Sequence, residues 1–377
     1  MAGTELVDIE EELQDVVAPR CVGSFAGHAA GPTLICVGGI HGDEPAGVLA
    51  LRRVFDKLQE RRPPFRGELV GLAGNRKALA AGQRFLARDL NRIWSGECMR
   101  QLEPALRDSR PSRPLDAEGE EQWELLEAVY ASFERARGEI YFLDLHTSSA
   151  DGEPFVCIGD TLRNRAFARG FPVPVILGLE ECIDGALLEY LNDLGLVTMG
   201  VEAGQHQRAT SVDHHEAFIW LALLRAGNLA PEDLPWAAAY RRRLRHTCRR
   251  LPAIMEVRHR HPIEPEDEFH MEPGFRNFQM VDSGQLLARD RQGEIFASEA
   301  GRILLPLYQG LGSDGFFITC QVRALWLQLS RLLRHLPLDP LLRWLPGVRR
   351  HARKPATLIV DRRTARWFAI EIFHLLG

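Results

Sequence analysis

His41 and Glu44 stand three residues apart in GGIHGDEPAG, a glycine-flanked turn. An imidazole nitrogen and a carboxylate oxygen at this spacing can converge on one cation, and zinc accepts both kinds of donor. Catalytic zinc sites commonly take three protein donors and leave the fourth position to water, so a third donor is expected from elsewhere in the chain. His146, which closes the apolar run EIYFLDLH, is the candidate. Asp144 lies two residues earlier on the same face of an extended strand, where it can accept the N–H of a ligand imidazole. Hydrolysis at such a centre also needs a proton carrier. Glu202, at the end of LVTMGVEAG, is set among apolar neighbours that would raise a carboxylate's pKa toward neutrality. Each residue alone has a plainer reading, since H-x-x-E is frequent in surface loops and a strand-end histidine is more often a hydrogen-bonding residue than a ligand. Their joint placement at strand termini is what points to a metal centre.

Those placements require a sheet whose strands end along one edge. Residues 33–40, TLICVGGI, read as a strand, and the following VLALRRVFDKLQE has apolar residues at helical spacing. Further strands are expected at 67–74, 139–146 and 196–204, that at 139–146 mostly apolar and therefore central. Ser211 is expected to cap an amphipathic helix that ends at Gly227. Alternation of β-like and helix-like runs up to about residue 226 is the pattern of an α/β fold, in which open sheets place their sites at the carboxyl ends of strands. A zinc hydrolase α/β domain is therefore assigned to residues 1–230. Residues 231–251 form a helical connector, whose arginine run at 240–250 reads as a solvated helix face. Residues 252–318 form a smaller β-rich domain with glycine turns at 284, 293, 301 and 310–315, and 319–377 a helical and α+β extension.

Composition narrows the classes. The chain has 377 residues, 45% of them hydrophobic and 26% charged, a balance typical of a folded globular protein. A net charge of −5 gives no general attraction to nucleic acid or an anionic membrane. The seven cysteines are scattered without a C-x-x-C pair, arguing against a disulfide framework or a cysteine-ligated metal. No apolar stretch of about 18 residues is present to span a bilayer, and no secretory leader is evident, so a cytoplasmic location is expected.

Taken together, GGIHGDEPAG, the Asn75 segment, Arg84 followed by ARDLNR, LDLHTSS and GVEAGQH resemble, in order and spacing across residues 33–226, the succinylglutamate desuccinylase/aspartoacylase family. GRILLPLYQGLGSDGFF resembles the family's terminal domain. The resemblance implies a zinc-carboxypeptidase-like fold: a mixed central sheet flanked by helices, with a smaller β-rich C-terminal domain. It implies one zinc per chain on His41, Glu44 and His146, with Glu202 as general base and acid. It further implies that Arg84 polarises the scissile carbonyl and that Asn91 and Arg92 grip a substrate carboxylate. Tyr308 is the candidate for a substrate-contacting tyrosine, with simple packing as its alternative. Aspartoacylases carry a further arginine about ten residues before the catalytic glutamate, where this chain has Asn192, so aspartate is not assigned as the substrate. The expected activity is zinc-dependent amidohydrolysis of a small N-acyl amino acid, by a chain that is compatible with homo-oligomerisation. The alternatives are a metallocarboxypeptidase acting on peptides and a catalytically inactive binding protein of the same fold.

Overall fold

The four runs read as strands at 33–40, 67–74, 139–146 and 196–204 lie side by side in one sheet. A computed structural model describes residues 18–96, 98–100, 102, 115–322, 348–350 and 358–360. The chain forms two units, one comprising 1–159 with 163–320 and the other 160–162 with 321–377. In the first half of the chain the order is β1 (Cys21–Ala26), β2 (Ala29–Gly38), α1 (Ala46–Arg61), β3 (Arg66–Ala73), α2 (Arg76–Ala81), α3 (Ala117–Arg135) and β4 (Ile140–Ser148). There follow β5 (Phe155–Cys157), α4 (Leu162–Ala168), β6 (Val175–Leu177), α5 (Leu187–Asp193), β7 (Val197–Gln205), α6 (Ala209–Ala226) and α7 (Ala237–Thr247). The remaining strands of the larger unit are β8 (Ile254–Pro262), β9 (His270–Met271), β10 (Met280–Val281), β11 (Leu286–Asp290), β12 (Gly293–Phe296), β13 (Gly301–Leu304) and β14 (Asp314–Gln321).

Among the described residues, one eleven-stranded mixed sheet runs β1-β3-β2-β4-β7-β5-β6-β8-β14-β13-β10. Strands β3, β2, β4 and β7 are mutually parallel, and their last six or seven residues are almost wholly buried on both faces. This is why they read as continuous apolar runs and not as alternating ones. The register sets His146 of β4 directly opposite Glu202 of β7. A shared sheet edge thus turns two residues far apart in sequence into neighbours.

The β-rich segment after residue 252 extends this same sheet through β8, β14, β13 and β10, and adds a small sheet β12-β11-β9. Gly284, at φ 80°, sits in a turn as expected, and Gly293, at φ 132°, opens β12 at the end of the hairpin turn, paired with Asp290. Gly301 is not in a turn. It opens β13, and a Cβ there would lie 2.5 Å from Ile318 and 2.9 Å from the Thr319 carbonyl, so the glycine serves close strand approach.

Helix α1 explains how the turn carrying His41 and Glu44 is held. Its inner face buries Val48, Leu49, Leu51, Val54, Phe55 and Leu58, each worth about 1.5–3 kcal/mol when fully removed from water. Gly38 and Gly47 let the strand exit and the helix entry touch, for a Cβ on Gly38 would fall 2.7 Å from the Gly47 backbone. Gly39 adopts φ 71°, the left-handed bend that turns the chain from β2.

Helix α6 departs from expectation. It begins two residues before Ser211, whose hydroxyl donates instead to the Gln205 carbonyl at 2.7 Å, tying the helix back to the end of β7. It is buried almost all round from Ser211 to Leu223, Asp213 being the exception. Its far end is as read from sequence, with Gly227 at φ 93° donating to the Leu223 carbonyl. None of the helices described is long and apolar enough to cross a membrane.

In the second unit, β15 (Val348–Arg350) and β16 (Leu358–Val360) pair antiparallel. The strand expected in ATLIVD is therefore present, but Val348–Arg350, expected within the helical stretch 321–354, is a strand paired with it, and Gln321 still belongs to β14; the rest of that stretch and the helix expected at 364–376 lie outside the described residues.

Candidate metal and active site

The turn after β2 and the end of β4 bring His41, Glu44 and His146 together, all three buried. One donor atom from each lies within 4.8 Å of the others. The two oxygens of Glu44 divide the work: Oε1 faces His41 Nδ1 at 2.7 Å and Oε2 faces His146 Nδ1 at 3.1 Å. Oε2 also accepts from the Thr147 amide at 2.9 Å. Burial alone would raise the pKa of Glu44, but the two imidazoles overcome it and hold the carboxylate well below its usual range. For His146 the balance is reversed: burial opposes the charged ring, and Asp144 and Glu44 together carry its pKa well above the usual value.

Asp144 is fully buried, with Oδ2 2.9 Å from His146 Nε2 in ion-pair rather than hydrogen-bond geometry. The contact is on the ring nitrogen away from Glu44, the position from which a second carboxylate fixes the tautomer of a ligand histidine. Two imidazoles and one carboxylate gathered at this distance form the His₂Glu set that suits catalytic zinc. A second group, Asp43, Glu44 and His206, has comparable spacing. It shares Glu44, but only Glu44 is fully buried, and His206 is engaged by Thr147 Oγ1 at 2.8 Å.

Glu202 lines the same cavity, and its Oε2 is buried without a hydrogen-bond partner. Burial, reinforced by Glu44 and Asp144 and opposed by His146 and Arg84, pushes its pKa well above the carboxylate range. The direction agrees with the sequence reading. Arg84 is placed on the other side of His41: its Nη2 lies 3.0 Å from His41 Nε2 and 3.3 Å from Asp89 Oδ2, and its Nη1 3.5 Å from Glu44 Oε1. Asn91 and Arg92 also line the cavity. Asn91 Oδ1 accepts from the Leu187 amide at 2.9 Å, and Arg92 donates to Asp314 Oδ2 at 3.0 Å and Ser313 Oγ at 3.3 Å.

Tyr308 is set apart from these. Its hydroxyl accepts from the Phe275 amide at 2.8 Å and approaches the Glu272 and Phe275 carbonyls, outside the cavity. Its neighbour Gln309 does line the cavity, and with its amide oriented to satisfy its surroundings it accepts from Arg84 Nη1 at 3.0 Å and donates to Asp43 at 3.1 Å.

Sequence reasoning missed Glu118 as well. In the first turn of α3 it resembles an ordinary acid complementing the helix dipole. Instead it is fully buried and accepts from the amides of Leu86, Ala87 and Arg88 and from Asn75 Nδ2, at 2.7–3.3 Å. It thereby clamps the loop that carries Arg84. Burial works against its charge, and these donors outweigh burial to lower its pKa.

The sequence model of the succinylglutamate desuccinylase/aspartoacylase catalytic domain matches residues 30–218, which include all of the motifs above up to Glu202. The chain belongs to this family. Among curated relatives it is 32% identical over 110 residues to the succinylglutamate desuccinylase of Burkholderia thailandensis, a match that spans 29% of each chain. It is 28% identical over 269 residues to that of Serratia proteamaculans, covering 68% of this chain and 73% of the relative. The solved succinylglutamate desuccinylase/aspartoacylase from Rhodobacter sphaeroides aligns over 80% of this chain and 88% of its own, with a TM-score of 0.56 and 19% identity. The product-bound ectoine utilization protein EutE (DoeB) from Ruegeria pomeroyi aligns over 78% and 86%, with a TM-score of 0.55 and 20% identity. At such identities the likeness is one of fold: a mixed α/β sheet flanked by helices, of the zinc-carboxypeptidase type.

Proposed function

We propose that the chain is a zinc-dependent amidohydrolase that releases a carboxylic acid from a small N-acyl amino acid or similar amide. The observation that carries the reading is the His41–Glu44–His146 donor set beside the unpartnered carboxyl of Glu202, in a cavity of about 130 Å³. Zinc held by these three residues would polarise the amide carbonyl and make water more acidic. Glu202 takes the proton that water loses as its oxygen adds to the carbonyl carbon. The same carboxyl returns that proton to the nitrogen as the C–N bond breaks, leaving a free acid and a free amine. A raised pKa suits both halves of this task, because it makes the carboxylate a stronger base toward water and lets the carboxyl hold the proton until the nitrogen leaves. Arg84, held by Asp89 and by the Glu118-clamped loop, aims a fixed guanidinium at the developing oxyanion. Asn91 and Arg92 receive the substrate carboxylate, Arg92 exchanging part of its pairing with Asp314 for a bidentate contact.

Residues 1–230 supply the chemistry in this reading and 231–251 connect. The segment within 252–318 closes the cavity with Leu305, Leu307, Gln309, Ser313, Asp314 and Phe317. A chamber of this size with such a roof suits an amino-acid derivative better than a peptide chain, which disfavours the carboxypeptidase alternative. The test is a hydrolysis panel of N-acetyl and N-succinyl amino acids against blocked dipeptides, with zinc supplied. Turnover confined to the N-acyl amino acids is expected; faster cleavage of the dipeptides would reverse the assignment.

A further inference from the structure

Arg84 has to present a fixed guanidinium, yet two of the groups that face it belong to the metal donor set. Its Nη2 lies 3.0 Å from His41 Nε2 and its Nη1 3.5 Å from Glu44 Oε1. A bound cation draws on the electrons of both residues and leaves each a poorer acceptor for the guanidinium. Two groups outside the donor set remain. Asp89 Oδ2 faces Nη2 at 3.3 Å, and the amide oxygen of Gln309 faces Nη1 at 3.0 Å. Each arm of the fork thus has one acceptor that does not depend on the ion, and the one on Nη1 comes from the segment between β13 and β14. Arg84 Nε is buried without a partner among the described residues, so the two arms set the plane of the group.

Gln309 is itself locked. One orientation of its amide turns the oxygen to Arg84 and lets the nitrogen donate to Asp43 Oδ2 at 3.1 Å and to His206 Nε2 at 2.9 Å. The opposite orientation sets a carbonyl against a carboxylate and an NH2 against a guanidinium. Because His206 Nε2 accepts, its Nδ1 carries the hydrogen and donates to Thr147 Oγ1 at 2.8 Å. Thr147 in turn donates its amide to Glu44 Oε2 at 2.9 Å. The backbone just before Gln309 is fixed as well, the Tyr308 amide donating to Ser149 Oγ at 3.1 Å and the Leu307 amide to the Gly315 carbonyl at 2.9 Å.

We propose that Gln309 is a positioning residue: it holds Arg84 Nη1 where the oxyanion forms, through hydrogen bonds to Asp43 and His206 that tie the C-terminal segment to the turn bearing the metal donors. A group that stabilises a transition state must be held to within about 0.5 Å, and an arginine reaches that precision only when contacts remove its alternative rotamers. The task given to Arg84 rests on the hydrolase reading, whereas the hold of Gln309 on Arg84 can be observed without turnover.

The experiment is a kinetic double-mutant cycle with zinc supplied, on the best substrate of the hydrolysis panel, across the wild type, Gln309→Met, Arg84→Lys and the double variant. Crystal structures of the zinc-loaded wild type and Gln309→Met accompany it. Methionine keeps the length of the side chain and removes both polar ends. Gln309→Met is expected to lower kcat by about tenfold or more, the scale of a hydrogen bond to a charged group, with KM and zinc affinity each within about threefold. In the Arg84→Lys background the same exchange should change kcat by less than about threefold, because an ammonium offers no Nη1 to Gln309. In the crystals the guanidinium should contact Gln309 in the wild type and leave that position in the variant. An equal loss of kcat in both backgrounds, a rise in KM alone, or a guanidinium that stays in place in Gln309→Met overturns the proposal. A guanidinium that moves in the variant while no substrate of the panel is hydrolysed sustains the hold of Gln309 and removes the hydrolase reading instead. Should Gln309→Met fail to fold, Gln309→Ser carries the same expectations, and a wild-type crystal with Arg84 beyond hydrogen-bond reach of Gln309 overturns the proposal in either case.

Discussion

In one part of the cavity lining, His41, Glu44, Arg84 and His146 are linked by direct contacts, with Asp89 beside His41 and Asp144 beside His146. In another, Cys157, Leu179, Ile183 and Phe317 line the cavity together with Glu180, whose carboxyl lies beside Gly159. The first arrangement fixes donor atoms in place before any substrate arrives, as a catalytic group must be fixed. The second is a mostly apolar surface with a polar group in it, the kind of lining by which a pocket selects among ligands. Glu202 belongs to neither wholly: it is positioned by sheet register, and its Oε2 is left without a hydrogen-bond partner.

That contrast can be broken by substitution. The largest effect is expected for Glu202→Ala, which should lower kcat/KM for the best substrate of the panel by about a thousandfold or more while leaving the bound metal in place. Retained turnover would move Glu202 out of the chemistry and group it with the recognition surface. A smaller effect is expected for Asp144→Asn. It should weaken metal affinity by about 10–100-fold through the loosened His146 ring, with kcat recovering at saturating zinc. If affinity is unchanged, the 2.9 Å contact is incidental to the donor set.

The same contrast separates what could be read from sequence. His41, Glu44, His146 and Glu202 were legible because each ends or follows an apolar strand, and parallel neighbours deliver their ends to a common edge. Arg84 was recognised through its motif neighbourhood, but nothing local announced that Glu118, on a helix some thirty residues later, would hold its loop by three backbone amides. Glu180 lies in LGLEECIDG, where a short 3-10 turn carries no periodicity, and nothing in that run marks it as a buried residue lining the cavity. Ser211 and Gly301 were misassigned for the same kind of reason. A serine before an apolar helix and a glycine in a polar stretch have local meanings, cap and turn, that tertiary contacts replaced with a strand tether and a close strand approach. Tyr308 and Gln309 show the limit at single-residue scale: the segment was identified, yet it is the glutamine that faces Arg84 while the tyrosine is fastened to the 272–275 backbone.

The central claim is that two imidazoles and one carboxylate close on a single divalent ion. Zinc titration of the metal-stripped full chain by calorimetry, alongside His41→Ala and His146→Ala, tests it most directly. The account predicts tight uptake of about one zinc per chain, with either substitution weakening it severely. Uptake that is absent, or that survives both substitutions unchanged, would contradict it.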